Sequence, residues 1–190
     1  MINETRYLLN LNKNLIEKIK KDSTYIDSHE NWYFKTFRLR KTAYKEDHNR
    51  TRYFIIPSLR GSSQAVKQKK ELSENDFEKL KENHKNDFIF YQHAIFYHPY
   101  NTSIMIEHDF IEPRGQKPFE FWSTEAEDDA DLQAVEQFLK ENNIKYKKTS
   151  DNLRTIVEKI INNKNRKMRE YIIQEAKQHI ILTLRNKKWH

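Results

Sequence analysis

The chain has 190 residues, of which 36% are hydrophobic and 33% charged, and its formal net charge at pH 7 is +7. No apolar run approaches the roughly 18 residues of a membrane-spanning helix, and the N-terminus lacks the apolar core of a signal peptide. We therefore expect a cytoplasmic protein with no membrane partner. The lack of cysteine excludes disulfides and thiolate metal sites. The positive charge favours anionic partners such as nucleotides, polyphosphate or nucleic acid.

The first half of the chain predicts strands interrupted by two helices. Alternating residues predict an initial strand that places Glu4 and Arg6 on one face and Tyr7 on the other. In chain order, the predicted elements are a strand over 2–9, a helix over 11–21, a hairpin of strands 32–44 and 52–59, a weaker strand over 65–72, and a helix capped by Ser73.

The second half predicts another hairpin, a further strand and two helical regions. The predicted elements are strands over 87–97, 103–111 and 117–122, a helix from a capping box of Thr124 and Glu127 to about Glu141, a short extended segment over 144–148, and helix from Ser150 onward. The sum predicts an α+β fold in which about eight strands, joined mostly as hairpins, close into an antiparallel barrel or tunnel. We predict a tunnel domain over 1–153 and a basic C-terminal helical extension over 154–190.

Charged residues recur at alternate positions of the predicted strands. Residues two apart in a strand point to the same face, so Arg38 and Arg40 share one face, and Glu107 and Asp109 share another. A basic set and an acidic set that face one cavity are costly to bury unless a ligand compensates them. A polyanion held by a divalent cation would do so, because arginine binds phosphate oxygens and carboxylates bind the metal.

The order of these charges resembles the CYTH family, the triphosphate tunnel metalloenzymes. The matching motifs are Glu4 and Arg6 with Glu-x-Lys, Arg38 and Arg40 with Arg-x-Arg, Ser58-Leu59-Arg60-Gly61 with Thr-x-Lys-Gly, Lys69 and Glu71 with Arg-x-Glu, Glu107-His108-Asp109-Phe110 with Glu-x-Asp-Phe, and Glu120 with one glutamate of a final Glu-x-Glu. The likeness spans residues 2–153. Ile2 and Ser73 stand where the family has glutamates, and Gln92 lies where it has a Lys-x-Arg pair.

The resemblance implies that the protein binds a nucleoside triphosphate or inorganic polyphosphate with Mg²⁺ or Mn²⁺ and hydrolyses or cyclises it. Such a protein would be a metal-dependent triphosphatase or an adenylate cyclase. The implied residues are Glu4, Glu107 and Asp109 for catalysis, Arg6, Arg38, Arg40, Arg60 and Lys69 for the substrate, and Glu4, Glu71, Glu107, Asp109 and Glu120 for the metal.

The C-terminal extension leaves a second interpretation open. Apolar residues recur about every four positions from Ile156 to Leu184, and lysines and arginines fill the other faces. This pattern is typical of a helix that packs within its own chain or joins a homodimer. It also suits a basic helix on a nucleic-acid backbone, with Trp189 as a stacking aromatic. The alternative function is therefore a non-catalytic module that binds nucleic acid or nucleotides.

Overall fold

Nine strands form one antiparallel sheet in the N-terminal part of the protein. The structure is a computed structural model that describes residues 5–44, 51–57, 69–164 and 166. The elements are β1 (Thr5–Asn10), α1 (Lys13–Lys21), β2 (Ser23–Phe34), β3 (Phe37–Tyr44), β4 (Thr51–Pro57), β5 (Lys70–Leu72), α2 (Glu74–Asn83), a 3₁₀ turn (Lys85–Asp87), β6 (Phe88–Pro99), β7 (Ile106–Pro113), β8 (Phe119–Ala126), α3 (Asp129–Glu141) and β9 (Lys145–Thr149).

The strand order is β5-β4-β3-β2-β6-β7-β8-β1-β9, and neighbouring strands pair antiparallel. This order confirms the predicted α+β class and the hairpins β3-β4 and β6-β7. Among the described strands, β5 and β9 are the edges and do not pair with each other. Closure into a barrel needs hydrogen bonds between the first and last strands, so the described strands form an open sheet rather than the predicted barrel.

Two predicted boundaries were wrong because strand pairing extends further than the hydrophobic pattern indicates. β2 begins at Ser23, and the single strand predicted over 32–44 is divided between the end of β2 at Phe34 and β3 from Phe37. Thr124, predicted to start a helix, lies within β8 opposite Tyr7. The helix α3 is instead capped by Asp128, whose side chain accepts a hydrogen bond from the backbone N–H of Asp131 at 2.9 Å.

One face of the sheet is apolar and is covered by the three helices. α1 and α3 bury their apolar residues against the strands at one end, and α2 does so through Phe77 at the other. The first cluster includes Tyr7, Leu9, Ile19, Ile106, Trp122, Val135 and Leu139, and the second includes Phe34, Leu39 and Phe77. All three helices lie on this one face of the sheet.

The chain divides into two compact units, residues 1–150 and residues 151–190. Within the second unit, residues 153–164 form a helix, α4. Most of the basic tail for which we predicted nucleic-acid binding or dimerisation, residues 167–190, lies outside the described residues. In the part of the chain that is described, no helix is long and apolar enough to cross a membrane.

The cap of α2 predicts a local effect on stability. The Ser73 hydroxyl accepts a hydrogen bond from the backbone N–H of Asp76 at 3.1 Å and donates one to the Asp76 carboxylate at 2.8 Å. We expect Ser73→Ala to lower the free energy of unfolding by about 1 kcal/mol, because a backbone donor of the first turn loses its partner. Urea denaturation would measure this change. The exposed Ser103 serves as the control, and an equal loss in Ser103→Ala would contradict a capping effect.

Candidate functional site

The face of the sheet opposite the helices carries a row of polar side chains across six adjacent strands, β3-β2-β6-β7-β8-β1. The strand register aligns them on this face, because Arg40 lies opposite Asn31, Asn31 opposite Gln92, and Glu107 opposite Ser123. We call this row the polar face and define it as Arg38, Arg40, Asn31, Tyr33, Gln92, Glu107, Asp109, Ser123, Glu125 and Arg6. Its hydrogen bonds connect an arginine half, formed by Arg38 and Arg40, with an acidic half, formed by Glu107, Asp109 and Glu125.

The arginine half is held in place by hydrogen bonds to β2. Arg38 Nη1 donates to the Tyr33 hydroxyl at 2.9 Å, and Arg40 Nε donates to Asn31 Oδ1 at 2.8 Å. Burial and the adjacent charge of Arg38 lower the pKa of Arg40 to about 10. Two half-buried guanidinium groups that repel each other would gain from a shared anion, which relieves both the desolvation and the repulsion.

Gln92 joins the two halves and is only 2% exposed. Its Oε1 accepts hydrogen bonds from Asn31 Nδ2 at 3.0 Å and from the Tyr33 hydroxyl at 3.1 Å. Its Nε2 donates to Asp109 Oδ1 at 2.5 Å and to Glu107 Oε1 at 3.4 Å. Because both of its polar atoms are occupied, the amide has a defined orientation that turns its donor toward the carboxylates.

The acidic half contains Glu107, Asp109 and Glu125 around a single arginine. Arg6 Nη1 donates to Glu107 Oε2 and to the Ser123 hydroxyl, each at 2.8 Å, and Arg6 Nη2 forms an ion pair with Glu125. These contacts join β1 to β7 and β8, whose carboxylates would otherwise be buried without an opposite charge.

Asp109 is fully buried, and its pKa is raised well above the ordinary value by burial and by the neighbouring charge of Glu107. Its Oδ2 has no hydrogen-bond partner among the described residues. A proton on Asp109 would let it donate to Glu107. A cation would also satisfy Oδ2, since buried carboxylate oxygens need a proton, a donor or a metal.

The structure brings five of the predicted site residues onto the polar face. They are Arg6, Arg38, Arg40, Glu107 and Asp109. Two other predicted residues, Glu4 and Arg60, lie outside the described residues. Arg6, predicted to bind substrate, contacts carboxylates instead.

Three predicted residues lie away from the acidic half. Glu120 is on the helix-covered face of β8, where Glu120 Oε2 lies 3.2 Å from His108 Nε2. Glu71 is on the edge strand β5 and forms a bidentate ion pair with the exposed Arg52. Lys69 Nζ lies 5.1 Å from the ring centre of Phe54, toward the arginine half. In the described ranges, no group of three or more His, Asp and Glu side chains is disposed to hold a metal ion.

Sequence reasoning missed half of the polar face. The missed residues are Asn31, Tyr33, Gln92, Ser123 and Glu125. Asn31 precedes the strand predicted from residue 32, and Gln92 was noted only as lying where the family has a Lys-x-Arg pair. Glu120 was assigned through the resemblance to a final Glu-x-Glu motif, and Glu125 was missed because a helix was predicted from Thr124, whereas β8 continues to Ala126. Which side of β8 faces Glu107 depends on the pairing of Glu107 with Ser123, which the sequence of one strand does not contain.

The chain was compared with protein families, curated proteins and solved structures. No protein-family model matches the chain, and no curated protein matches it. The solved structure described as "Structure of PH1819 protein from Pyrococcus Horikoshii OT3" is 15% identical over 82% of this chain and 99% of that chain, with a TM-score of 0.46.

Proposed function

We propose that the protein binds the phosphate chain of a nucleoside triphosphate or of inorganic polyphosphate on the polar face, together with Mg²⁺ or Mn²⁺. The observation that carries this proposal is the joining of Arg38 and Arg40 to Glu107 and Asp109 through Gln92 on one face of the sheet. The resemblance to the CYTH family supports the same ligand. It also suggests a tunnel around the polar face and hydrolysis or cyclisation as the reaction.

The arginine half is suited to phosphate oxygens. Arg38 and Arg40 are two residues apart on β3, and each uses one of its five N–H donors in the hydrogen bonds to β2 described above. A guanidinium fork binds two phosphate oxygens at once, and such charge-assisted bonds strengthen where water is partly excluded. Lys69 adds a further positive charge toward this end, since its charge acts on the half-buried His29 beside the arginines.

The acidic half offers ligands for a divalent cation. Mg²⁺ bound with phosphates commonly takes one or two carboxylates, with water and phosphate oxygens at its other positions. Glu107 and Asp109 fit this requirement, because they are adjacent on one face and Asp109 Oδ2 makes no hydrogen bond with a described residue. When bound there, the cation would supply charge neutralisation and polarisation at the phosphate oxygens.

The binding proposal is tested by removing the two arginines. We expect Arg38→Ala/Arg40→Ala to weaken the binding of tripolyphosphate by about 100-fold, because two charge-assisted contacts are lost at about 1.4 kcal/mol for each factor of ten. Isothermal titration calorimetry with Mg²⁺ would measure the dissociation constants. Arg114→Ala/Lys117→Ala, which removes two exposed positive charges between β7 and β8, is the control. Equal weakening in both variants would show that net charge alone binds the anion.

Turnover is tested separately, as the release of phosphate for hydrolysis or of pyrophosphate for cyclisation. The substrates are ATP, thiamine triphosphate and tripolyphosphate with Mg²⁺ or Mn²⁺. The comparison is between the wild type and Glu107→Gln/Asp109→Asn. Equal rates of release in the two proteins would show that Glu107 and Asp109 take no part in the reaction. Intact binding with no release by the wild type would make the protein a binding protein.

A further inference from the structure

The Arg6 guanidinium forms ion pairs with Glu107 and Glu125 of the acidic half. We propose that the Arg6 guanidinium is the built-in counter-cation of the acidic half, and that a divalent cation must displace it from Glu107 and Glu125 in order to bind. This inference rests on the proposed function, which is the reason to expect a divalent cation at the acidic half. It assigns Arg6 a different role from the phosphate contact that the family resemblance implies.

The contacts of Arg6 describe a cation site that an arginine already occupies. The residue is 7% exposed, and its two terminal nitrogens contact Glu107 on β7 and both Ser123 and Glu125 on β8. A planar guanidinium can bridge two carboxylates on neighbouring strands, whereas an ammonium contacts fewer groups from one point. The positive charge of Arg6 thus compensates the two carboxylates.

The remaining carboxylate oxygens leave little room for a second cation. Glu107 Oε2 accepts from Arg6, and Gln92 Nε2 donates to Asp109 Oδ1 and, more distantly, to Glu107 Oε1. Asp109 Oδ2 is the one oxygen of this pair without a partner among the described residues. A divalent cation that binds through both Asp109 and Glu107 would therefore take Glu107 from Arg6.

A cavity opens from outside to the two glutamates that contact Arg6. Glu107 and Glu125 line a cavity of about 210 Å³, and its other charged wall residues are Glu127 and Asp131. A cavity lined by one sign of charge raises the local concentration of counter-ions. A hydrated cation can therefore reach the partners of Arg6, and the competition concerns affinity rather than access.

The test compares the binding of Mn²⁺ alone to the wild type, to Arg6→Gln and to Arg52→Gln. Arg52 is a matched control, since it also pairs with a glutamate but lies on the exposed part of β4. Calorimetry is expected to show at least tenfold tighter Mn²⁺ binding by Arg6→Gln and no change in the control. Saturating Mn²⁺ is also expected to raise the thermal midpoint of Arg6→Gln more than that of the wild type. Unchanged or weaker Mn²⁺ binding by Arg6→Gln would overturn the inference.

Arg6→Lys covers the case in which Arg6→Gln does not fold. Lysine keeps the charge but cannot reproduce the bridge to both glutamates, so its Mn²⁺ affinity is expected between those of the wild type and Arg6→Gln. An affinity equal to that of the wild type would overturn the inference. The Mn²⁺ titration contains no phosphate. An unchanged affinity of Arg38→Ala/Arg40→Ala for tripolyphosphate would therefore contradict the proposed function without deciding the role of Arg6.

Discussion

Replacing Gln92 by leucine is expected to lower the free energy of unfolding by about 3 kcal/mol or more. The substitution keeps a side chain of similar size but removes the acceptor for Asn31 and Tyr33 and the donor to Asp109. Each buried polar group left without a partner costs about 1–3 kcal/mol, and the cost is larger for a charged one. Urea denaturation at pH 7 would measure the loss.

Gln137 provides the matched control for this substitution. It is an exposed glutamine of α3 whose amide donates to Glu141 at 2.8 Å. Gln137→Leu is expected to change the free energy of unfolding by no more than about 0.5 kcal/mol, as for most surface substitutions. A decrease of less than about 1 kcal/mol in the free energy of unfolding of Gln92→Leu would contradict a hydrogen-bond network that depends on this amide.

Acidification from pH 7 to pH 4 is expected to cost the wild type about 3 kcal/mol more than it costs His29→Gln. Burial and the charges of Arg40, Arg38 and Lys69 lower the pKa of His29 to about 3, from an ordinary value of 6.5. Below pH 6.5 the unfolded chain therefore takes up a proton at His29 that the folded protein does not. Stability falls by about 1.4 kcal/mol per pH unit until the pH reaches the folded-state pKa.

The charged groups around His29 act on its pKa in opposite directions. Asp27 Oδ2 lies 3.3 Å from His29 Nε2 and favours protonation, so the 3 kcal/mol is an upper value. The side chain of His29 is 18% exposed, which keeps solvent screening small. Free energies of unfolding from urea titrations at pH 7, 6, 5 and 4 would measure the difference. His93→Gln, on the opposite face of the sheet, is the control. Parallel curves for the wild type and His29→Gln would contradict the predicted protonation.

The sequence by itself determined the features that depend on neighbouring residues. Alternation placed Arg38 with Arg40, and Glu107 with Asp109, because successive side chains of any strand point to opposite faces. The Ser73 cap and the apolar stripe of α3 were likewise predictable, since a helix start and a 3.6-residue period are local properties. The α+β class followed from these elements.

The polar part of β2 escaped prediction for a physical reason. Asp27 and His29 alternate with Asn31 on the side of the sheet opposite the helices, so the hydrophobic pattern did not mark a strand. Their backbone groups are satisfied by pairing on both sides, with β3 and β6. The pairing with β6 joins segments about 60 residues apart, such as Asn31 and Gln92, and is decided by the whole sheet.

Only the tertiary structure decided which charges meet. Arg6 and Glu107 are 101 residues apart in sequence, and they form an ion pair because β1 and β7 both flank β8. The same arrangement turned Glu125 toward Arg6 and Glu120 toward His108. A strand's sequence shows which residues share a face, but the face that meets another strand's charges is set by register and strand order. Both arise from the packing of the apolar face against the helices.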